Sequence, residues 1–338
     1  LLKRILTKAK DRGYSVKLGF EYEFSVFSET SNTVREKNFQ GLNSLTPGNF
    51  GYSILRSSTH ADLFNDLMDY CTELRIPLEG VHCETGPGVW EAAIVYDHAL
   101  EAADRAALFK TFSKVFFQKQ GLISTFMAKW SMDVAGQGGH VHQSLSSTET
   151  GKPLFYDAKT RGNMSEIMTQ YLAGQIKYLR PFLAMSAPTI NSYARLVKGA
   201  WAPTSATWGM NNRTAALRVV PGTETSYHLE HRVPGADANP YLVAASIVAA
   251  GLLGIQQKLE LGEETKGNAY EAQAGLPEKL QFPTNLRDSF RNLAQSGEAE
   301  EMFGREFLEH FVASREWEAK EYERRINDWQ MQRYFEII

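Results

Sequence analysis

Residues 17–27 read KLGFEYEFSVF, and they constrain the fold more than any other stretch of the chain. Apolar and aromatic side chains recur at every second position, which is the period of a β-strand. A strand is therefore predicted over Lys17–Phe27. Side chains two apart share one strand face, so Glu21 and Glu23 project together. Like charges side by side destabilise a sheet unless water screens them or a cation sits between them. The pair is either a solvated outer face or an inward site that needs positive charge.

Other acids and histidines favour the second reading. Glu84-Thr85-Gly86-Pro87-Gly88-Val89-Trp90-Glu91 sets two more carboxylates about a Gly-Pro-Gly turn. Glu91 falls in an apolar run, where a carboxylate needs a partner or a metal. Ala135 to His142 reads AGQGGHVH, which puts His140 and His142 on one strand face after a glycine-rich bend. Glu230-His231-Arg232 adds another alternating acid. Oxygen donors with a single imidazole suit Mg²⁺ or Mn²⁺ better than zinc. Arg195, Arg213, Arg218 and Arg232 lie among apolar or small residues. Buried guanidinium groups need anions, and each alone is as well explained by a structural salt bridge. Together with the acids and histidines they form a phosphoryl-transfer constellation.

Several alternatives are excluded. Gly136-x-Gly138 is followed by Val141 where a dinucleotide fingerprint needs its last glycine. No GxxxxGK[ST] and no Gly-x-Ser-x-Gly is present, which removes the P-loop and the hydrolase elbow. Lys and Arg total 36 against 39 Asp and Glu, a net charge of −3, so no basic excess favours nucleic acid. Cys71 and Cys83 are too few for a disulfide framework or a four-cysteine zinc site, and they fit a cytoplasmic location. The longest apolar stretch, Tyr241–Ile255, is shorter than the roughly 20 residues a bilayer needs. It reads as a buried helix with Asn239 as N-cap and Pro240 at its first position.

Helices and strands interleave irregularly, which favours an α+β fold. A further strand is expected at Ile94–Val95, reached from the Gly-Pro-Gly turn. Helices are expected over Asp97–Gln120, ended by Gly121, and over Ser165–Ala184, interrupted at Pro181. Residues 262–285 read as a loop or linker, with helical pattern from Asn285 onward. Arg315–Ile338 carries Trp317, Tyr322, Ile326, Trp329 and Tyr334 at helical spacing. That is either an amphipathic surface helix or a subunit contact.

These residues resemble the catalytic domain of the glutamine synthetase superfamily, over Lys17 to Tyr334. The resemblance rests on the E-x-E strand, ETGPGVWE, TFMAKW (125–130), GGHVHQSL (138–145), NSYARLV (191–197), NNRTAALRV (211–219) and EHRVPGADANPYL (230–242). It implies a curved antiparallel sheet with surrounding helices. It also implies an ATP-dependent ligase that makes a γ-glutamyl amide from glutamate through γ-glutamyl phosphate. Glu23, Glu84 and Glu91 would hold one Mg²⁺ or Mn²⁺, and Glu21, His140 and Glu230 a second. Arg213 and Arg232 would stabilise the transferring phosphate, with Arg218 assisting. Arg195 would grip glutamate, with Gly136 and Trp201 also at the substrate. His142, Ser144 and Tyr96 would contact ATP, Tyr96 by stacking on adenine.

Departures from the family pattern bear on the substrate. Trp201 stands where glutamine-forming members carry a flap glutamate that helps hold ammonium. An aromatic face binds an alkylammonium by cation–π contact. The resemblance thus tilts toward the γ-glutamylpolyamine and γ-glutamylamide synthetases, with ammonia-using glutamine synthetase and a non-catalytic relative as alternatives. Ala135 replaces a common asparagine, and His228 stands where a nucleotide-binding arginine is common. The whole chain, 1–338, is expected to be one catalytic domain with a helical part from about 278 to 338, and the family's small N-terminal β-grasp domain is not in it. A homo-oligomeric ring is expected from the family.

Overall fold

The computed structural model describes residues 1–199 and 201–337. Its centre is β1 (Tyr14–Phe27), the long strand expected from the alternating run. Eight others follow: β2 (Leu78–Cys83), β3 (Val89–Ile94), β4 (Asp97–His98), β5 (Ile123–Thr125), β6 (Val141–Ser147), β7 (Trp208–Met210), β8 (Leu217–Val220) and β9 (His228–His231). The sheet runs β2-β3-β1-β6-β9-β8-β7, with β4 and β5 also paired to β1. The fold is α+β, but the sheet is mixed rather than wholly antiparallel, because β7 pairs β8 in parallel. The link from Met210 to Leu217 is only six residues long and begins with Asn211 at φ +51°.

The period of two sorts β1 into two faces. Phe20, Tyr22 and Phe24 are buried. Tyr22 and Phe24 pack on Phe109 of the helix Ala99–Lys119 and on Phe126. Removing a ring such as Phe24, which is wholly buried, costs about 3–5 kcal/mol. With that face committed to the core, Glu21 and Glu23 point the other way, and this orients the site.

The buried helix runs Pro240–Gln256, and the Asn239 side chain accepts from the amides of Tyr241 and Leu242 as the capping pattern implied. It crosses the helix Glu166–Ser186 at two glycines. A Cβ on Gly174 would lie 2.2 Å from the Ala250 carbonyl, so only glycine permits this approach. Pro181 does not interrupt its helix, which continues to Ser186. Buried Phe182 and Leu183 hold the last turn against the core despite the missing amide.

Other differences are local. The strand after the Gly-Pro-Gly turn ends at Ile94 rather than including Val95. Asp97–His98 pairs with β1, so the next helix starts at Ala99, two residues late. The segment after 262 is loop with short helical turns, and helices resume at Leu286. The C-terminal stretch is two helices, Arg305–Glu323 and Asp328–Tyr334, separated where Asn327 caps the second. Trp317, Tyr322, Ile326, Trp329 and Tyr334 are all exposed, so this apolar stripe does not pack on the chain's own core. No helix among the described residues is long and apolar enough to cross a membrane.

Candidate active site

Sheet register assembles the site. In β1 and β3, Glu23 lies directly opposite Glu91, and His82 of β2 pairs with Glu91 from the other side. In β6 and β9, His142 lies opposite Glu230, which in turn faces Arg218 of β8. The result is a cavity of about 460 Å³. Glu21, Glu23, Glu84, Glu91, His140 and Glu230 line it together with Arg195, Arg213, Arg218, Arg232, Gly136 and Trp201.

Its carboxylates fall into two clusters. The first is Glu21, His140 and Glu230, whose ligand atoms lie within 4.8 Å of one another. His140 Nδ1 is 3.5 Å from Glu21 and 3.6 Å from Glu230. Glu230 is 1 % exposed and is paired with Arg218 at 3.0 Å and with Arg232. Burial opposes its ionisation, but Arg232, His140 and His142 outweigh it and hold Glu230 below the usual carboxylate range. Burial likewise opposes Glu21, yet its bonds to His140 and His142 hold it well below that range.

The second cluster is His82, Glu84 and Glu91. Glu23, which the resemblance groups with Glu84 and Glu91, stands beside this cluster in the same cavity. Glu23 accepts a hydrogen bond from the Gly138 amide, while His82 Nε2 stands 3.5 Å from Glu84 and 3.6 Å from Glu91. Glu23 still lines the cavity opposite Glu91. Burial raises the Glu91 carboxyl, and the charges of Glu21, Glu23 and Glu84 push it on to about 9. Glu84 is held at about 2, because bonds from His82, Tyr52 and the Thr85 amide outweigh its burial.

Both clusters fit a hard divalent cation. Their donors are carboxylate oxygens with one imidazole each. His82 Nε2 lies 3.5 Å from Glu84 and 3.6 Å from Glu91, close enough for all three to share one ion. The crowded negative charge at Glu91 is what a cation would relieve.

The arginines occupy different settings. Arg195, on the helix Ile190–Arg195, is 3 % exposed and donates to the carbonyls of Val233 at 2.8 Å and Arg232 at 3.3 Å. It is held against Gly136, where a Cβ would lie 2.6 Å from Arg195 Cγ. That contact explains glycine at this position. Asn211 accepts from Arg218 Nε at 3.1 Å and Nη2 at 2.6 Å, splaying the guanidinium between Asn211 and Glu230. Trp201 is 63 % exposed with φ +57°, a conformation rare for a bulky residue.

A second cavity of about 490 Å³ shares Glu21 with the first, and His142, Ser144, Tyr96 and His228 line it. Lys17 Nζ stands 5.5 Å over the Tyr96 ring. His142, in the second cavity, is bonded at 2.8 Å to Glu21, which lines both.

Sequence reasoning missed His82, Asn211 and Tyr52. His82 precedes Glu84 by two, the same alternation that pairs Glu21 with Glu23. Tyr52 stacks on His82 with ring centroids 5.0 Å apart and lines the cavity. No spacing signal marked Asn211 or Tyr52.

Comparison with known proteins follows this geometry. The family model "Glutamine synthetase, catalytic domain" matches residues 1–334. Type-1 glutamine synthetase 2 of Dictyostelium discoideum is 44% identical over 339 residues, covering 100% of this chain and 64% of the relative. The chain thus spans less than two thirds of that relative's length. Glutamate–isopropylamine ligase of Pseudomonas sp is 35% identical over 338 residues, covering 100% of this chain and 73% of the relative. A solved GmaS/ADP complex matches with TM-score 0.88 at 29% identity, covering 99% of this chain and 76% of that one.

Proposed function

Because this chain belongs to the glutamine synthetase catalytic-domain family, we propose that it is an ATP-dependent ligase joining an amine to the side-chain carboxylate of glutamate. The observation that carries this reading is the cavity where two carboxylate–imidazole clusters meet four arginines. Glu21, His140 and Glu230 would hold one divalent ion, Mg²⁺ or Mn²⁺, and Glu84 and Glu91, with Glu23 and His82 beside them, would hold another. Such ions neutralise the nucleotide's phosphate charge.

The chain's own residues do the rest. Arg195, backed by Gly136, takes the backbone carboxylate of glutamate. The glutamate side-chain oxygen attacks the terminal phosphorus of ATP, the bond to ADP breaks, and γ-glutamyl phosphate forms. Arg213, Arg218 and Arg232 carry positive charge to the transferring oxygens, where charge develops. The amine nitrogen then attacks the acyl carbon, phosphate leaves, and the nitrogen loses its proton. Tyr96 and Ser144 line the adjoining cavity that takes ATP. The GmaS relative solved with ADP supports a nucleotide site.

We infer an amine larger than ammonia, an alkylamine or a polyamine. Trp201 at the cavity supports it, since an aromatic face holds an alkylammonium but lacks the charge for bare ammonium. The isopropylamine-ligase relative points the same way. The second reading is ammonia, favoured by the relative named glutamine synthetase. The protein acts as a homo-oligomer in the cytoplasm on this account, a reading supported by the exposed C-terminal stripe and two free cysteines.

Phosphate release from ATP with Mg²⁺, glutamate and a panel of amines tests the proposal. Turnover with isopropylamine, ethanolamine or putrescine, but little with ammonia, is expected. Efficient use of ammonia would replace the amine reading with glutamine synthesis. ATP binding without turnover on any amine would favour a non-catalytic relative.

A further inference from the structure

His228 lies outside both carboxylate clusters, yet it ends a hydrogen-bonded chain that reaches one of them. Its Nδ1 is 2.6 Å from the Ser226 carbonyl. A carbonyl only accepts, so this nitrogen carries hydrogen and the ring is fixed. Its Nε2 then faces His142 Nδ1 at 2.9 Å. His142 Nε2 in turn lies 2.8 Å from Glu21 Oε1 and donates to it. The other oxygen of Glu21 faces His140 Nδ1 at 3.5 Å.

Both nitrogens of His142 are therefore occupied by protein. It also lines the second cavity. What it holds is one oxygen of Glu21, leaving the other turned toward His140 and Glu230. Partners behind a ligand commonly orient it, and losing one weakens metal binding about 10–100-fold.

We propose that His228 is a positioning residue that acts through His142 on the Glu21 carboxylate, setting its free oxygen for the cation of the Glu21–His140–Glu230 cluster. This rests on the reading of that cluster as a divalent-ion site. His228 fixes the ring that fixes the ligand.

Mn²⁺ binding to the full chain without ATP, followed by electron paramagnetic resonance and calorimetry, tests the chain directly. Wild-type protein is expected to show two classes of Mn²⁺ site. His228→Ala should weaken one class about 10–100-fold and leave the other, at His82–Glu84–Glu91, within about twofold. His228→Gln should recover much of the loss, because its side-chain carbonyl accepts from His142 Nδ1. A general structural role would weaken both classes together and would not be rescued by glutamine. Unchanged Mn²⁺ affinity in His228→Ala, equal weakening of both classes, or no recovery in His228→Gln overturns the proposal. Absence of any Mn²⁺ binding by the wild type overturns the metal reading itself, and the proposal falls with it.

Discussion

The two carboxylate clusters share one cavity but balance their charge in opposite ways. In the Glu21–His140–Glu230 cluster, the most buried carboxylate is paired with two arginines, and Glu21 is bonded to an imidazole. In the His82–Glu84–Glu91 cluster no arginine ion pair is found among the described residues, and Glu91 faces three other carboxylates. The first is compensated by the protein, and the second is left for a cation to compensate. A fold can gather five acids in one place because part of the charge is settled by its own sheet, through the β8–β9 register. The uncompensated part marks where the protein's stability and its ligand are most tightly linked.

The largest expected effect breaks the compensated side. Arg232→Met leaves Glu230, 1 % exposed, with Arg218 as its remaining cation. A half-broken buried pair costs about 3 kcal/mol, read as a lower denaturation midpoint in urea. An unchanged midpoint would show that Arg218 alone balances the site.

The next effect separates the clusters by pH in the metal-free protein. Glu91 is raised from its ordinary 4.5 to about 9, so the folded state binds more protons than the unfolded one between those values. Its contribution is full below 4.5 and is lost as pH rises toward 9. Glu21, Glu84 and Glu230 are lowered, so theirs is present above 4.5 and lost on acidification. Glu91→Gln should therefore flatten the alkaline limb and stabilise the metal-free protein by about 1 kcal/mol at pH 8, leaving the acid limb unchanged. Thermal melts from pH 4 to 9 check this. Mn²⁺ should flatten the same limb in the wild type, and persistence of the limb with bound Mn²⁺ would contradict the assignment.

The smallest effect lies at the rim of the compensated side. Asn211→Ala frees the Arg218 guanidinium from one of its two partners but leaves Glu230 paired. A loss of about 0.5 kcal/mol is expected, as for an exposed hydrogen bond. A loss as large as that of Arg232→Met would mean that Asn211, not Glu230, sets the arginine.

Much of this comparison was legible in the sequence where a local period governs geometry. The alternation of 17–27 put Glu21 and Glu23 opposite the aromatic core residues, and Asn239-Pro240 marked a helix start. What stayed hidden depends on register between distant strands. Nothing local pairs Glu23 with Glu91, or brings His82 to Glu91 while Glu23 turns to the Gly138 amide. The parallel β7–β8 pairing was equally invisible, because its six-residue link is shorter than parallel pairs usually need. The C-terminal apolar spacing suggested an amphipathic helix, but the break at Asn327 and the exposure of Trp317 and Trp329 are set by tertiary structure.

Manganese anomalous diffraction from crystals of the full chain soaked in Mn²⁺ tests the central claim most directly. The account predicts two peaks in one cavity, one among Glu21, His140 and Glu230 and one among His82, Glu84 and Glu91. Peaks elsewhere, or none at either cluster, would contradict it.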